Sequence, residues 1–167
     1  VEKLEGTYPQ WVIDEANEDA DGLAKALEDL GVIVHRPKII DWDKKNYDIG
    51  QGWNTKGWYS WCPRDLILPL GDMLIETPTP VRARYFETRL YEDIMYEAFE
   101  DGALWFSAPK PKLHDDMYTF EDIENKATLL NHEICFDAPN IVRVGKDLLY
   151  QVSNSGNMKG YKWLKRL

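Results

Sequence analysis

The chain has 167 residues, of which 44% are apolar and 29% charged, and its formal net charge is −9. That composition fits a soluble globular protein with a real core, offers no apolar run near the ~20 residues of a membrane span, and disfavours nucleic acid, whose phosphates need a concentrated basic surface. Val1 to Glu5 lack the apolar core of a secretory signal, and two cysteines, Cys62 and Cys135, make no disulfide framework, so a reducing cytoplasm is the expected location.

Glu15 to Gly31 is predicted to be a helix, with Leu23, Ala26, Leu27 and Leu30 on one stripe. Asp19 and Asp21 favour its N-terminal end, and Gly31 is placed to stop it. Val32 to Val34 is a short β-branched run ended by Arg36-Pro37. From Lys38 to about Pro63 the periodicity fails, although Trp42, Trp53, Trp58 and Trp61 lie there. This reads as a long, packed loop, in which Trp42 and Trp53 are expected to cover the end of the core.

The next segment has the clearest pattern. Residues 66–77 alternate two apolar runs about Gly71-Asp72, which predicts a β-hairpin. A helix is expected from about Val81 to Glu100, closed by Gly102, followed by a strand from Leu104 to Ser107, giving a ββαβ unit. Ala108 to Thr119 reads as irregular and Phe120 to Asn131 as a helix. Residues 140–151 then repeat the hairpin: superposing Gly145 on Gly71 aligns Ile141 with Ile67, Val142 with Leu68, Val144 with Leu70 and Leu148 with Leu74. A last helix begins near Asn157, and the sequence ends within about two helical turns. The expected organisation is the end of one module (1–37), a whole ββαβ module (58–108) and the start of a third (120–167). A repeat interrupted in this way is expected to leave a sheet edge open for self-association.

Two carboxylates occupy similar places before the two hairpins: Asp65 in Cys62-Pro63-Arg64-Asp65, and Asp137 in Cys135-Phe136-Asp137-Ala138-Pro139. Carboxylates at the mouths of repeated strands can converge on a cation, and a guanidinium suits them through its flat, paired N–H donors. The competing role is the capping of a turn. Tyr59, close to Asp65, is the aromatic candidate for such a pocket. His132, Cys135, Asp137 and His114 are the only grouping that could hint at a metal, and they lack the second ligand pair of a zinc motif. Cys135 sits on an apolar stretch and reads as an inert thiol.

The segments Tyr59 to Asp65, Gly71, Ile75 to Pro78, Arg82 to Glu87, Ala108 to Pro111, Cys135 to Ala138 and Arg143 to Asp147 resemble the glycine amidinotransferase and inosamine-phosphate amidinotransferase family from about Asp14 onward. The resemblance implies an α/β pentein fold, an α/β-propeller of five ββαβ modules with about two present here. It also implies transfer of an amidino group from arginine to an amine without metal or organic cofactor. In the family a cysteine thiolate attacks the guanidinium carbon, a histidine serves as acid and base, and an aspartate orients the histidine. By the same resemblance Asp137 is the catalytic aspartate, and Asp65 binds the substrate guanidinium with Tyr59 and Arg64 beside it. None of His35, His114, His132, Cys62 or Cys135 matches the family's histidine or nucleophile. The chain is therefore expected to be part of such an enzyme, N-terminal and inactive alone, with arginine as partner and a homo-oligomeric tendency. The alternatives are a non-catalytic assembly module and a fragment of an arginine deiminase-like hydrolase.

Overall fold

The computed structural model describes residues 8–39, 47–48, 50, 52–55, 62–119 and 128–167. They fall into two compact units, Val1–Arg36 and Pro37–Leu167.

In the first unit, α1 (Gln10–Asp29) begins five residues before the predicted start, directly after Pro9. Proline suits the beginning of a helix because its missing N–H would have no partner there. Asp19 and Asp21 therefore lie in mid-helix, not at its N-terminal end, and Asp21 accepts a 2.6 Å bond from Arg36. The C-terminus closes as the sequence predicts. Gly31 adopts φ +80° and donates to Glu28 O, while Val32 donates to Leu27 O, the paired bonds of a Schellman cap. The Leu23–Leu30 stripe is largely solvent-facing within this unit: Leu23 and Leu30 are exposed and only Ala24 is buried.

The second unit opens with β1 (Tyr47–Asp48) paired antiparallel to β2 (Asn54–Thr55). The predicted first hairpin follows as β3 (Ile67–Leu70) and β4 (Met73–Glu76), with Leu68 opposite Ile75 and Leu70 opposite Met73. Gly71 takes φ +63° at the first turn position, the conformation a Gly-first hairpin turn needs. After α2 (Glu92–Glu100), β5 (Leu104–Ser107) pairs parallel to β4 and completes the ββαβ unit.

Alternation along these strands gives the sheet two apolar faces. Ile67, Leu74 and Trp105 pack on Leu90, Tyr91 and Met95. Leu68, Ile75 and Phe106 pack on the opposite side with Phe136, Ala138, Tyr150 and Trp163. The predicted helix 81–100 is α-helical only from Glu92. Before it the chain makes two 3₁₀ turns, Arg82–Arg84 and Glu87–Tyr91. The interruption accompanies an inward turn of Arg84 and Glu87, which are buried and ion-paired.

Downstream, β6 (Tyr118–Thr119) pairs with β7 (Thr128–Leu129). Thr128 and Leu129 are thus extended, not helical, with β-branched Thr128 opposite Thr119 in the ladder; the remainder of the helix expected over 120–131 lies outside the described residues up to 127. The second hairpin forms as expected from β8 (Ile141–Val144) and β9 (Asp147–Tyr150), with Gly145 at φ +62°. Finally α3 (Met158–Leu164) is capped by Asn157, whose side chain accepts from Gly160 N–H. Asn157 also donates to the Leu130 and Glu133 carbonyls and accepts from Cys135 N–H, so its buried amide is fully engaged. Among the described residues no helix is long and apolar enough to cross a membrane.

Candidate functional site

Both singled-out aspartates sit at short 3₁₀ turns that lead into the hairpins, Asp65 within its turn and Asp137 just before its own. Asp65 ends the turn Pro63–Asp65, and Thr77 at the end of β4 donates to its carbonyl at 3.1 Å. Asp137 precedes the turn Ala138–Asn140. Its N–H reaches the Ser155 carbonyl at 2.9 Å and Asn140 Oδ1 at 3.2 Å, while Asn140 Nδ2 donates to Gln151 O and Ser153 Oγ. These bonds tie the turn to the loop before α3. The two turns pack against each other, so sequence-distant carboxylates share one region.

Arg84 lies at the centre of that region. Its Nη1 donates to Asp65 Oδ2 at 2.7 Å, and its Nε and Nη2 form a bidentate pair with Glu87 at 2.7 and 2.9 Å. Nη2 also reaches the Cys62 carbonyl at 3.2 Å. The Arg84 and Glu87 side chains are 6% and 2% exposed and Asp65 is 21% exposed, so the pair is desolvated and only the Asp65 end meets solvent. Such a pair is strong because its geometry satisfies the fork of the guanidinium; removing one partner would strand a buried charge. Burial raises the Glu87 carboxyl while Arg84 opposes it, and the same carboxylates keep Arg84 charged.

Asp137 differs from Asp65 in its surroundings. It is 8% exposed, Thr79 hydrogen-bonds its carboxyl, and Oδ1 has no partner. Burial pushes its pKa up from 3.8 to about 6; the Thr79 bond and the Arg84 charge oppose this, while Asp65 and Glu87 add to it. A buried carboxylate oxygen without a donor is unusual and costly. It leaves an acceptor ready for an incoming N–H.

Among the residues singled out from sequence, Asp65 and Asp137 are brought together around Arg84. Arg64 is exposed on the Asp65 turn. Tyr59, Trp42, Trp58 and Trp61 lie outside the described residues. Trp53 is half-buried against Tyr85, with ring centroids 5.3 Å apart, and donates to the Lys112 carbonyl. Cys135 is fully buried, its thiol raised to about 12 chiefly by burial, so it holds little thiolate. Cys62 is half-buried, and both thiols are free. Among the described residues no three His, Cys, Asp or Glu side chains converge as a metal site requires. Arg84, Glu87 and Thr79 were not marked as site residues. The available signal was an Arg and a Glu three residues apart, with Tyr85 and Phe86 between them, in a stretch that also carries Arg82 and Arg89.

No family model matches the chain. It is 43% identical over 162 residues to an inosamine-phosphate amidinotransferase of Streptomyces griseus, covering 96% of this chain and 45% of that protein. A mitochondrial glycine amidinotransferase of Xenopus laevis is 35% identical over 172 residues, covering 96% of this chain and 40% of that protein. The solved inosamine-phosphate amidinotransferase of Streptomyces griseus superposes with a TM-score of 0.87 at 41% identity, over 97% of this chain and 46% of that one. The chain thus spans a little under half the length of the curated relatives it matches.

Proposed function

This chain is a relative of the inosamine-phosphate and glycine amidinotransferases, and from that premise we propose that it is the N-terminal part of a pentein enzyme moving an amidino group from arginine to an amine. In this reading the chain contributes two carboxylates to a site completed by residues beyond it. Asp137 orients the imidazole that serves as acid and base, its free Oδ1 accepting the ring N–H. Asp65 binds the arginine guanidinium through the oxygen that Arg84 leaves available. The observation that carries the reading is the shared packing of the two pre-hairpin turns, one with an orphaned buried oxygen, on a chain 43% identical to an amidinotransferase.

The chemistry needs a nucleophile to attack the guanidinium carbon, so that ornithine leaves and the amidino group remains on sulfur until an amine takes it. Buried Cys135 is unsuited, and neither cysteine matches the family's position. The chain alone is therefore proposed to be inactive, and neither metal nor organic cofactor is assigned to it. The test is to read the coding DNA past the codon for Leu167 and express the whole frame with arginine and an amine acceptor. The reading expects ornithine release that Asp137→Asn lowers by ~100-fold or more. A frame ending there, with no His- and Cys-bearing sequence to follow, overturns it.

A further inference from the structure

The two aspartate turns are joined by a short strap. Beyond β4 the chain runs Thr77-Pro78-Thr79-Pro80, and all four residues are buried. Thr79 N–H donates to the Thr77 carbonyl at 3.1 Å, which closes a γ-turn about Pro78 at the end of the strand. Proline suits the centre of that turn because its ring fixes φ near the value the turn needs. Each end of the strap belongs to a different aspartate. Thr77 N–H donates to the Leu66 carbonyl at 2.8 Å, and the Thr77 hydroxyl donates to the Asp65 carbonyl at 3.1 Å. Phe136 N–H donates to the Pro78 carbonyl at 3.2 Å, which sets Thr79 beside Asp137.

A buried threonine ordinarily satisfies its hydroxyl on nearby backbone. Thr79 does so in part: its Oγ1 accepts from Val81 N–H at 3.3 Å, two residues on. The hydroxyl proton is not used by that bond, and the Asp137 carboxyl takes it. Thr79 is 2% exposed, so the bond is formed away from solvent. Oδ1 of the same carboxyl remains without a partner. One hydroxyl thus reaches the carboxyl from the strap, while one oxygen is kept free.

We propose that Thr77 and Thr79 are positioning residues: the strap fixes the Asp65 turn relative to the Asp137 turn, and Thr79 fixes the rotation of the Asp137 carboxyl so that Oδ1 is offered to an incoming N–H. The roles of the two carboxylates rest on the amidino-transfer reading; the strap does not. A hydroxyl donor also favours the ionised carboxyl over the neutral one. Arg84 acts in the same direction, Asp65 and Glu87 act against it, and the Cys135 thiol and Tyr150 phenol in its field are held neutral by burial. These groups are unchanged when Thr79 alone is altered, so a difference between variants reports the hydroxyl.

The experiment follows the Asp137 carboxyl carbon by ¹³C NMR through a pH titration of the chain as wild type, Thr79→Val and Thr79→Ser. The proposal predicts a midpoint higher by about one pH unit in Thr79→Val, the worth of a hydrogen bond to a charge. Thr79→Ser, which keeps the hydroxyl, should titrate close to wild type. In wild type the Thr79 methyl signal should shift with the Asp137 midpoint, which reads the contact even where Thr79→Val does not fold. In the whole frame, supplied with arginine and an amine, Thr79→Val should lower kcat by about tenfold or more with little change in the KM for arginine. Thr77→Val should instead raise that KM, because it frees the turn that carries Asp65. Equal midpoints in Thr79→Val and wild type, a Thr79 methyl signal flat across the Asp137 midpoint, or an active Thr77→Val enzyme with unchanged KM overturns the proposal. A raised midpoint in the Thr79→Val chain, with no amidino transfer by the whole frame, sinks the functional reading and leaves the strap standing.

Discussion

Asp137 places a carboxyl where water cannot reach one of its oxygens, and that has a consequence for stability as well as chemistry. Its pKa is raised from 3.8 to about 6, so the folded chain holds this proton more tightly than the unfolded chain does. The resulting stabilisation is full below about 3.8 and is lost as the pH rises through about 6. The gap corresponds to about 3 kcal/mol. Asp137→Asn, which cannot ionise, should therefore be more stable than wild type near neutral pH, with the advantage shrinking toward pH ~4. Denaturant midpoints of both proteins at the two pH values check this; parallel pH dependences would contradict it. The position of Asp137 before a hairpin was legible in the sequence, because the repeat pairs it with Asp65. Its burial and orphaned oxygen were not, since they depend on how the 138–140 turn packs against residues 153–157. Arg84 was hidden for a related reason: a charged residue in a helix-like pattern reads as a solvated one until a distant Asp65 is seen to bind it.

Among the elements, the two hairpins were the most readable because a turn glycine and period-2 alternation are both local signals. The stretch 81–100 misled because its apolar spacing continues through the 3₁₀ turns, and the break is imposed by the buried Arg84–Glu87 pair. The helices contain a sharper local test. Gly22 in α1 has nothing within 4 Å of where a Cβ would stand, whereas at Gly160 in α3 that atom would lie 2.6 Å from the Cys135 carbonyl and 2.7 Å from the Tyr150 hydroxyl. Gly22→Ala should stabilise α1 by about 0.5–1 kcal/mol through backbone entropy. Gly160→Ala should destabilise the second unit by about 1–3 kcal/mol, because the overpacking outweighs the same helix gain. Circular dichroism melts of the two variants measure the contrast. Equal effects at both sites would mean that α3 is not closely seated on residues 135–136.

At the scale of the molecule, the uneven covering of the two hairpins stands out. The first is packed on both faces, while Val142, Val144, Leu148 and Leu149 of the second are all exposed. Trp163 and Leu164 pack on the Phe136 cluster but, like Tyr161, stay only half-buried. Exposed apolar strands with unpaired backbone groups favour association, and a symmetric dimer is the simplest closed form. Light scattering over a dilution series should show mass rising with concentration, and Val142→Lys with Leu149→Lys should restore a monomer. A wild-type monomer at high micromolar concentration contradicts this.

The central claim is that the chain holds the carboxylates of an amidino-transfer site but not its nucleophile, and intact-mass spectrometry after incubation with arginine tests it without needing the acceptor to be known. A competent thiolate would attack the guanidinium carbon, release ornithine and keep the amidino group as a covalent adduct. The account predicts an unmodified mass and no ornithine above the protein-free blank. An amidino adduct on Cys62 or Cys135, lost when that cysteine is replaced by alanine, would contradict it.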